Sequence, residues 1–222
     1  YQSLEENTSG QENTSIGSQA LDDNTSGSYN TALGKGALTQ NTTGSHNHGY
    51  GVVALGANTT GVRNIGIGYA ALGSNTTADD NVAIGHAALN ENTTGANNTA
   101  IGYNALKANT ASGNTAVGHQ ALLANTSGSG NIALGKNSLL SNTTGGQNVA
   151  LGQNSLDANT TANNNVAVGH EALGANTTGT SNVAMGYQAL DGNTTSSNNV
   201  AIGQSSLGTT STGGNSTAVG HQ

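Results

Sequence analysis

The residues able to do chemistry are few. His46 and His48 form an H-x-H pair, the kind of spacing that can supply two metal ligands. His86, His119, His170 and His221 share one position of a repeated unit with Tyr1, Tyr69, Tyr103 and Tyr187. A metal site needs three or four converging ligands, yet these histidines are separated by units bearing Tyr, Lys or Gln. Only rings of His from associated chains would assemble one, and a solvent-facing His/Tyr stripe, suited to touching a glycan, is the simpler reading. The paired carboxylates Asp22-Asp23 and Asp79-Asp80 read as solvated turn charges rather than an acid/base couple. There is no Cys, and no Ser/His/Asp arrangement stands apart from the repeat. The sequence therefore predicts no enzyme. Gly66-Ile67-Gly68-Tyr69-Ala70-Ala71 imitates a dinucleotide-binding G-x-G-x-x-A, but no βαβ unit surrounds it to put a helix N-terminus on a phosphate. No cofactor is expected.

Asn-Thr-Thr or Asn-Thr-Ser recurs once in most units and is formally an N-glycosylation sequon. Asn41, Asn58, Asn75, Asn92, Asn142, Asn159, Asn176 and Asn193 carry it. The favoured reading is a turn Asn bonding its own backbone; glycosylation is the second. The Thr that follows forms a rank, including Thr42, Thr59, Thr76, Thr93 and Thr143, which raises ice binding as a possibility, but a strand face of Thr-x-Thr is missing.

All these residues are embedded in one tandem array, and the repeat must position them. Units begin at Asn13, Asn30, Asn47, Asn64, Asn81, Asn98, Asn114, Asn131, Asn148, Asn165, Asn182 and Asn199, with Ser216 in the same slot. The period is 17, with one 16-residue step between Asn98 and Asn114. The consensus is N-[TVI]-A-[ILV]-G-x-x-[AS]-L-x-x-N-T-[TS]-G-x-x, with Gly at position five and Leu at position nine in every copy. Residues 1–222 read as a single repeat array.

Positions two to four alternate with period 2, as in Val82-Ala83-Ile84, which predicts a strand with one face packed inward. The large residues at positions two and four are taken as that face. Position nine completes the core, so Leu38, Leu55, Leu72, Ile84, Leu89, Ile101, Leu106, Leu156 and Leu173 are the expected core residues. Gly34, Gly68, Gly85, Gly102, Gly152 and Gly186 turn the corner after the strand. A second short strand is expected over the Ala-Leu pair, then a turn at Asn-Thr-Thr-Gly. The sum is an all-β parallel solenoid, or β-roll, of about thirteen coils, a rod roughly 60 Å long at the usual strand spacing of about 4.8 Å. Stacking aligns the position-twelve asparagines Asn24, Asn41, Asn58, Asn75, Asn92, Asn142, Asn159, Asn176 and Asn193 into a potential amide ladder. The first-position asparagines can do the same.

The motif Asn-Val-Ala-Ile-Gly, at 81–85 and 199–203 and nearly so at 148–152, resembles the head repeats of trimeric autotransporter adhesins. The array is also similar to repetitive phage tail-fibre segments. The adhesin resemblance spans essentially the whole chain and implies a left-handed β-roll, three chains side by side and a surface-exposed binding rod. The unit is a few residues longer than those head repeats, and no neck, stalk or membrane anchor is visible.

Composition bounds the rest. Charged residues are 7%, the formal charge is -7, and the basic residues are Lys35, Arg63, Lys107 and Lys136 alone, so no stripe exists to neutralise a nucleic-acid backbone. No run approaches the roughly 18 apolar residues of a membrane-spanning helix. The expectation is an extracellular structural or adhesive fibre, at a cell surface or on a virion, with a host-surface or glycan receptor. The resemblance implies a homotrimer; because Tyr1 and Gln222 fall in mid-unit and neither end has a capping coil, a chain that continues on both sides or an end-to-end filament is also expected. The alternative is a solenoid that binds ice or glycans.

Overall fold

The structure, a computed structural model, describes residues 3–208 and 213–221. Tyr1, Gln2, residues 209–212 and Gln222 lie outside these residues, and with them the Thr210-Ser211-Thr212 stretch. The fold is an all-β solenoid with thirteen three-residue strands, one per coil. No helix occurs among the described residues, so none is long and apolar enough to cross a membrane.

The chain divides into two compact units, Tyr1–Gly113 and Asn114–Gln222. The boundary follows the shortened repeat. The first unit holds β1 (Thr14–Ile16), β2 (Thr31–Leu33), β3 (His48–Tyr50), β4 (Ile65–Ile67), β5 (Val82–Ile84) and β6 (Thr99–Ile101). The second holds β7 (Thr115–Val117), β8 (Ile132–Leu134), β9 (Val149–Leu151), β10 (Val166–Val168), β11 (Val183–Met185), β12 (Val200–Ile202) and β13 (Thr217–Val219). Within each unit every strand lies parallel to the next, in the register of the repeat: Val82 opposes Thr99, and Val166 opposes Val183.

The inward face is the reverse of the expected one. The middle residue of the strand is fully buried, as Ala32, Ala83, Ala100, Ala150 and Ala184 are, while positions two and four face outward. Ile84 and Ile101 are therefore half-buried and do not belong to the core. Side chains alternate along a strand, so a three-residue strand cannot turn both its ends and its centre inward. The interior decides which: it already holds one Leu, a second Ala or Ser, and two Asn per coil, leaving room for no more than a methyl group. Leu38, Leu55, Leu72, Leu89, Leu106, Leu156 and Leu173 are each fully buried.

The stretch carrying the Ala-Leu pair is a turn and not a second strand. Leu38, Leu72 and Leu89 sit at φ 53°, 52° and 52°, and position seven is left-handed too, as at Asn104 (φ 53°). Left-handed residues cannot continue a strand, yet the backbone still ladders between coils: the Leu38 N–H donates to the Ala54 carbonyl at 3.0 Å and that of Leu55 to Ala71 at 2.9 Å. The left-handed region costs a non-glycine residue roughly 1–2 kcal/mol. At position nine that cost is offset by burial of the leucine, about 1.5–3 kcal/mol.

At the corner after each strand, Gly34, Gly68, Gly85, Gly102, Gly152 and Gly186 take φ of 127° to 139°. A Cβ on Gly85 would run into the carbonyl of Gly102, and one on Gly152 into that of Gly169. Conformation and stacking both demand glycine.

Two buried asparagine columns hold the coils in register. At position twelve, Asn58 Nδ2 donates to Asn41 Oδ1 of the previous coil at 2.8 Å and to Gly61 O at 3.0 Å. Asn75 repeats the pattern on Asn58 at 2.8 Å, and in the second unit Asn159 does so on Asn142 at 2.8 Å. At position one, Asn47 Oδ1 accepts the Asn64 N–H at 3.0 Å while Asn47 Nδ2 donates to Gly61 O at 2.7 Å. Both columns converge on the carbonyl of position fifteen. In the shortened repeat Ala111 O takes this role, accepting from Asn109 at 2.7 Å and Asn98 at 2.9 Å. The deleted residue thus leaves the convergence intact.

Candidate functional site

The inverted strand puts two files of side chains on the outer strand face; position two is Thr on β1, β2, β6, β7 and β13 and His48 on β3, position four is Tyr50 on β3, and elsewhere the files are apolar. On β8–β12 these are Ile132 and Leu134, Val149 and Leu151, Val166 and Val168, Val183 and Met185, Val200 and Ile202. Ile132, Leu134 and Met185 are 42%, 41% and 40% exposed. No Asp, Glu, Lys or Arg occupies position two or four of any strand, although the chain carries a net charge of -7. At roughly 50 Å² left open per side chain, the ten residues of β8–β12 present on the order of 500 Å². That is within the range of the largest patch on an ordinary monomer, and it lies in the second unit.

The His/Tyr stripe adopts a specific geometry. Tyr69, His86 and Tyr103 stack successively, with ring centroids 5.1 and 5.3 Å apart and planes within 19° and 24°. His170 stacks on Tyr187 at 5.6 Å. His46 does not join His48: it stacks on Tyr29 at 4.8 Å and 6°, while His48 lies on β3. Among the described residues no group of three or more His, Asp or Glu is placed to hold a metal ion. The stacks also occupy ring faces against neighbouring rings, so those faces cannot serve as platforms for a sugar.

The sequon asparagines Asn41, Asn58, Asn75, Asn92, Asn142, Asn159, Asn176 and Asn193 are fully buried. Their Nδ2 groups are committed to the ladder, as in Asn41, which donates to Asn24 Oδ1 and Gly44 O at 2.8 and 2.9 Å. A glycan on that nitrogen has no space in the folded coil, which corrects the glycosylation reading. The Thr rank is likewise committed: Thr42 Oγ1 donates to Thr59 O at 3.0 Å and Thr143 Oγ1 to Thr160 O at 3.0 Å.

The paired acids have separate partners. Asp80 makes a bidentate pair with Arg63 at 2.6 and 2.8 Å, and the hydrogen bond to the guanidinium holds its carboxyl below the usual range. Asp79 Oδ1 accepts the Val62 N–H at 2.8 Å. Gly66 and Gly68 sit within and just after β4, with turn residues following instead of a helix.

One feature escaped the sequence reading. In the second unit Asn154, Asp157, Glu171, Gly174, Ala175 and Asp191 line an open cavity of about 350 Å³. Asp157 and Asp191 occupy position ten in coils on either side of Gly174, whose missing side chain leaves the gap. Burial, with a smaller contribution from the Glu171 charge, pushes the Asp157 carboxyl up. Glu171 accepts from Gln188 Nε2 at 2.8 Å. The Asp-Gly-Asp alternation down one column was the available signal.

No protein-family profile matches the chain, and comparison with curated proteins and with solved structures finds no match either.

Proposed function

We propose that this chain is a non-enzymatic structural segment of an extracellular fibre, in which copies associate side by side through the outer strand face. The observation that carries the reading is the pair of files free of Asp, Glu, Lys and Arg on the outer strand face, apolar throughout β8–β12. Contact between like-charged molecules is opposed wherever their charges meet, and the strand face is where this acidic chain places none. Burying about 500 Å² per copy contributes at most about 12 kcal/mol at 25 cal/mol per Å², set against an association cost of about 4–15 kcal/mol. Several coils in contact are therefore required, which suits a long repetitive molecule better than a compact one.

The resemblance to trimeric autotransporter heads and phage tail fibres supports three left-handed coils around a common axis, exposed at a cell or virion surface as an adhesive or spacer element. A receptor on a host surface would then meet the remaining faces of the coil. Stacked rings and committed Thr hydroxyls favour this fibre over a glycan- or ice-binding solenoid. Immunogold labelling of the native source with antibodies raised against the repeat tests the reading: decoration of surface filaments is expected, and label confined to the cell interior would overturn it.

A further inference from the structure

The chain holds a single sulfur atom. It has no Cys and one Met, and that residue, Met185, stands at position four of β11. Its register neighbours are Val168 on β10 and Ile202 on β12, so the thioether lies inside the continuous apolar stretch β8–β12. The other strands carry Ile, Leu, Val or, on β3, Tyr50 at this position. Because the middle residue of the strand takes the inward place, Met185 points outward and is 40% exposed, while Ala184 beside it is fully buried. An outward thioether is open to oxidants in the free chain and stands apart from the core.

We infer that Met185 is a modification site, at which oxidation of the sulfur by a hydroperoxide breaks the contact between copies of this chain. The inference rests on the self-association reading above. In the step, a sulfur lone pair attacks a peroxide oxygen, so that an S–O bond forms and the O–O bond breaks. Sulfur loses two electrons and the peroxide gains them. With hydrogen peroxide the leaving hydroxide takes the proton of the S–OH group and departs as water. The product, a sulfoxide, is polar where the thioether was apolar. The β8–β12 files offer no side-chain hydrogen-bond donor, so a sulfoxide pressed into a contact made of them loses its water without replacement. Each sulfoxide buried in this way raises the dissociation constant by about tenfold or more. The contact in turn shields the thioether, so assembled chains oxidise more slowly than free ones. Folding is spared, because in the free chain the modified side chain still faces water. Reduction by methionine sulfoxide reductases restores the thioether, which makes the change reversible.

Hydrogen peroxide is the probe. Intact mass follows the gain of one oxygen, and light scattering over a concentration series follows assembly. Conversion is expected to slow at concentrations where the chain is assembled, and the dissociation midpoint of the oxidised chain to rise by about tenfold or more. Reductase treatment should return the original midpoint, and urea unfolding of the dissociated chain should be the same before and after oxidation. Met185→Leu is expected to assemble and to ignore peroxide. Met185→Gln, which puts a polar amide at similar reach, is expected to match the oxidised chain without any peroxide. Conversion at one rate across all concentrations overturns the inference, as does an oxidised chain or a Met185→Gln variant that keeps the parent midpoint, or peroxide that dissociates Met185→Leu. Each of those results leaves association standing. Monomers at every concentration before oxidation sink the association reading as well.

Discussion

Replacing Asn75 by Asp exchanges one ladder amide for a carboxyl of the same shape. Asn75 Nδ2 donates to Asn58 Oδ1 at 2.8 Å and to Ala78 O at 3.1 Å, and its Oδ1 accepts from Asn92 Nδ2 at 3.2 Å. The substitution removes both donors. Ala78 O keeps the Asn64 amide at 2.8 Å, but Asn58 Oδ1 is left buried without a donor, at a cost of about 1–3 kcal/mol. A protonated carboxyl restores one donor, so the protein will neutralise the group in preference to burying a charge. Holding a carboxyl of ordinary pKa near 3.9 neutral at pH 7 costs about 4 kcal/mol. That O–H serves Asn58 Oδ1, so the total is the protonation cost plus the lost bond to Ala78 O, roughly 5 kcal/mol at pH 7. Because burial raises the folded-state pKa above the unfolded one, the penalty is greatest at neutral pH. It shrinks as pH falls, leaving about 0.5–1.5 kcal/mol near pH 3 for the lost bond to Ala78 O. Urea unfolding at fixed chain concentration measures both ends. The exposed Asn97→Asp is the control, expected within about 0.5 kcal/mol of the parent. A loss below about 1 kcal/mol at pH 7, or a loss independent of pH, would refute the ladder as a buried, fully used network.

Other positions give sharper or opposite signs. Gly85→Ala forces a Cβ at φ 137° into the Gly102 carbonyl and should cost at least about 3 kcal/mol, seen as loss of amide protection in the β5 and β6 coils. Val53→Asn should stabilise by about 1 kcal/mol, because Val53 is a β-branched residue at φ 50° where Asn104, Asn137 and Asn154 sit at 53°, 58° and 55° in other coils; an unchanged or lower melting temperature contradicts this. Asp157→Asn should raise the melting temperature at pH 7 and leave it unchanged below the ordinary carboxyl range. The Asp157 carboxyl is pushed up by burial, so its ionised form is the one that strains the fold.

Much of this architecture is legible in the sequence because a stacked repeat turns identity of residue into identity of environment. The invariant Gly of position five, the invariant Leu of position nine and the 17-residue period give the coil, its corner and its stacking. The direction of the strand face is not legible by size. Val82 and Ile84 are large and Ala83 is small, and a size argument puts the large ones inside. What decides is the space left by Leu89, Ala88 and the asparagines Asn81 and Asn92, all fully buried. The persistent smallness of position three, with Gly49 and Gly66 in place of Ala, is the signal that was available. The left-handed leucines stayed hidden because Leu has no local preference for that conformation. Only packing against the next coil imposes it. The sequons misled for a related reason: Asn-Thr-Thr is chemically competent wherever it is exposed, and burial of the amide is a property of the stack. By contrast, the Tyr69, His86 and Tyr103 stack follows directly from residues 17 apart sharing a column.

The central claim is that the outer strand face is a contact surface between copies. Light scattering of the purified chain over a concentration series tests it most directly, against the chain mass of 21.7 kDa. An integral multiple, three for the assembly proposed, is predicted to persist on dilution and in high salt, as expected for a contact made by uncharged apolar files. A mass of 21.7 kDa at every concentration would contradict the account.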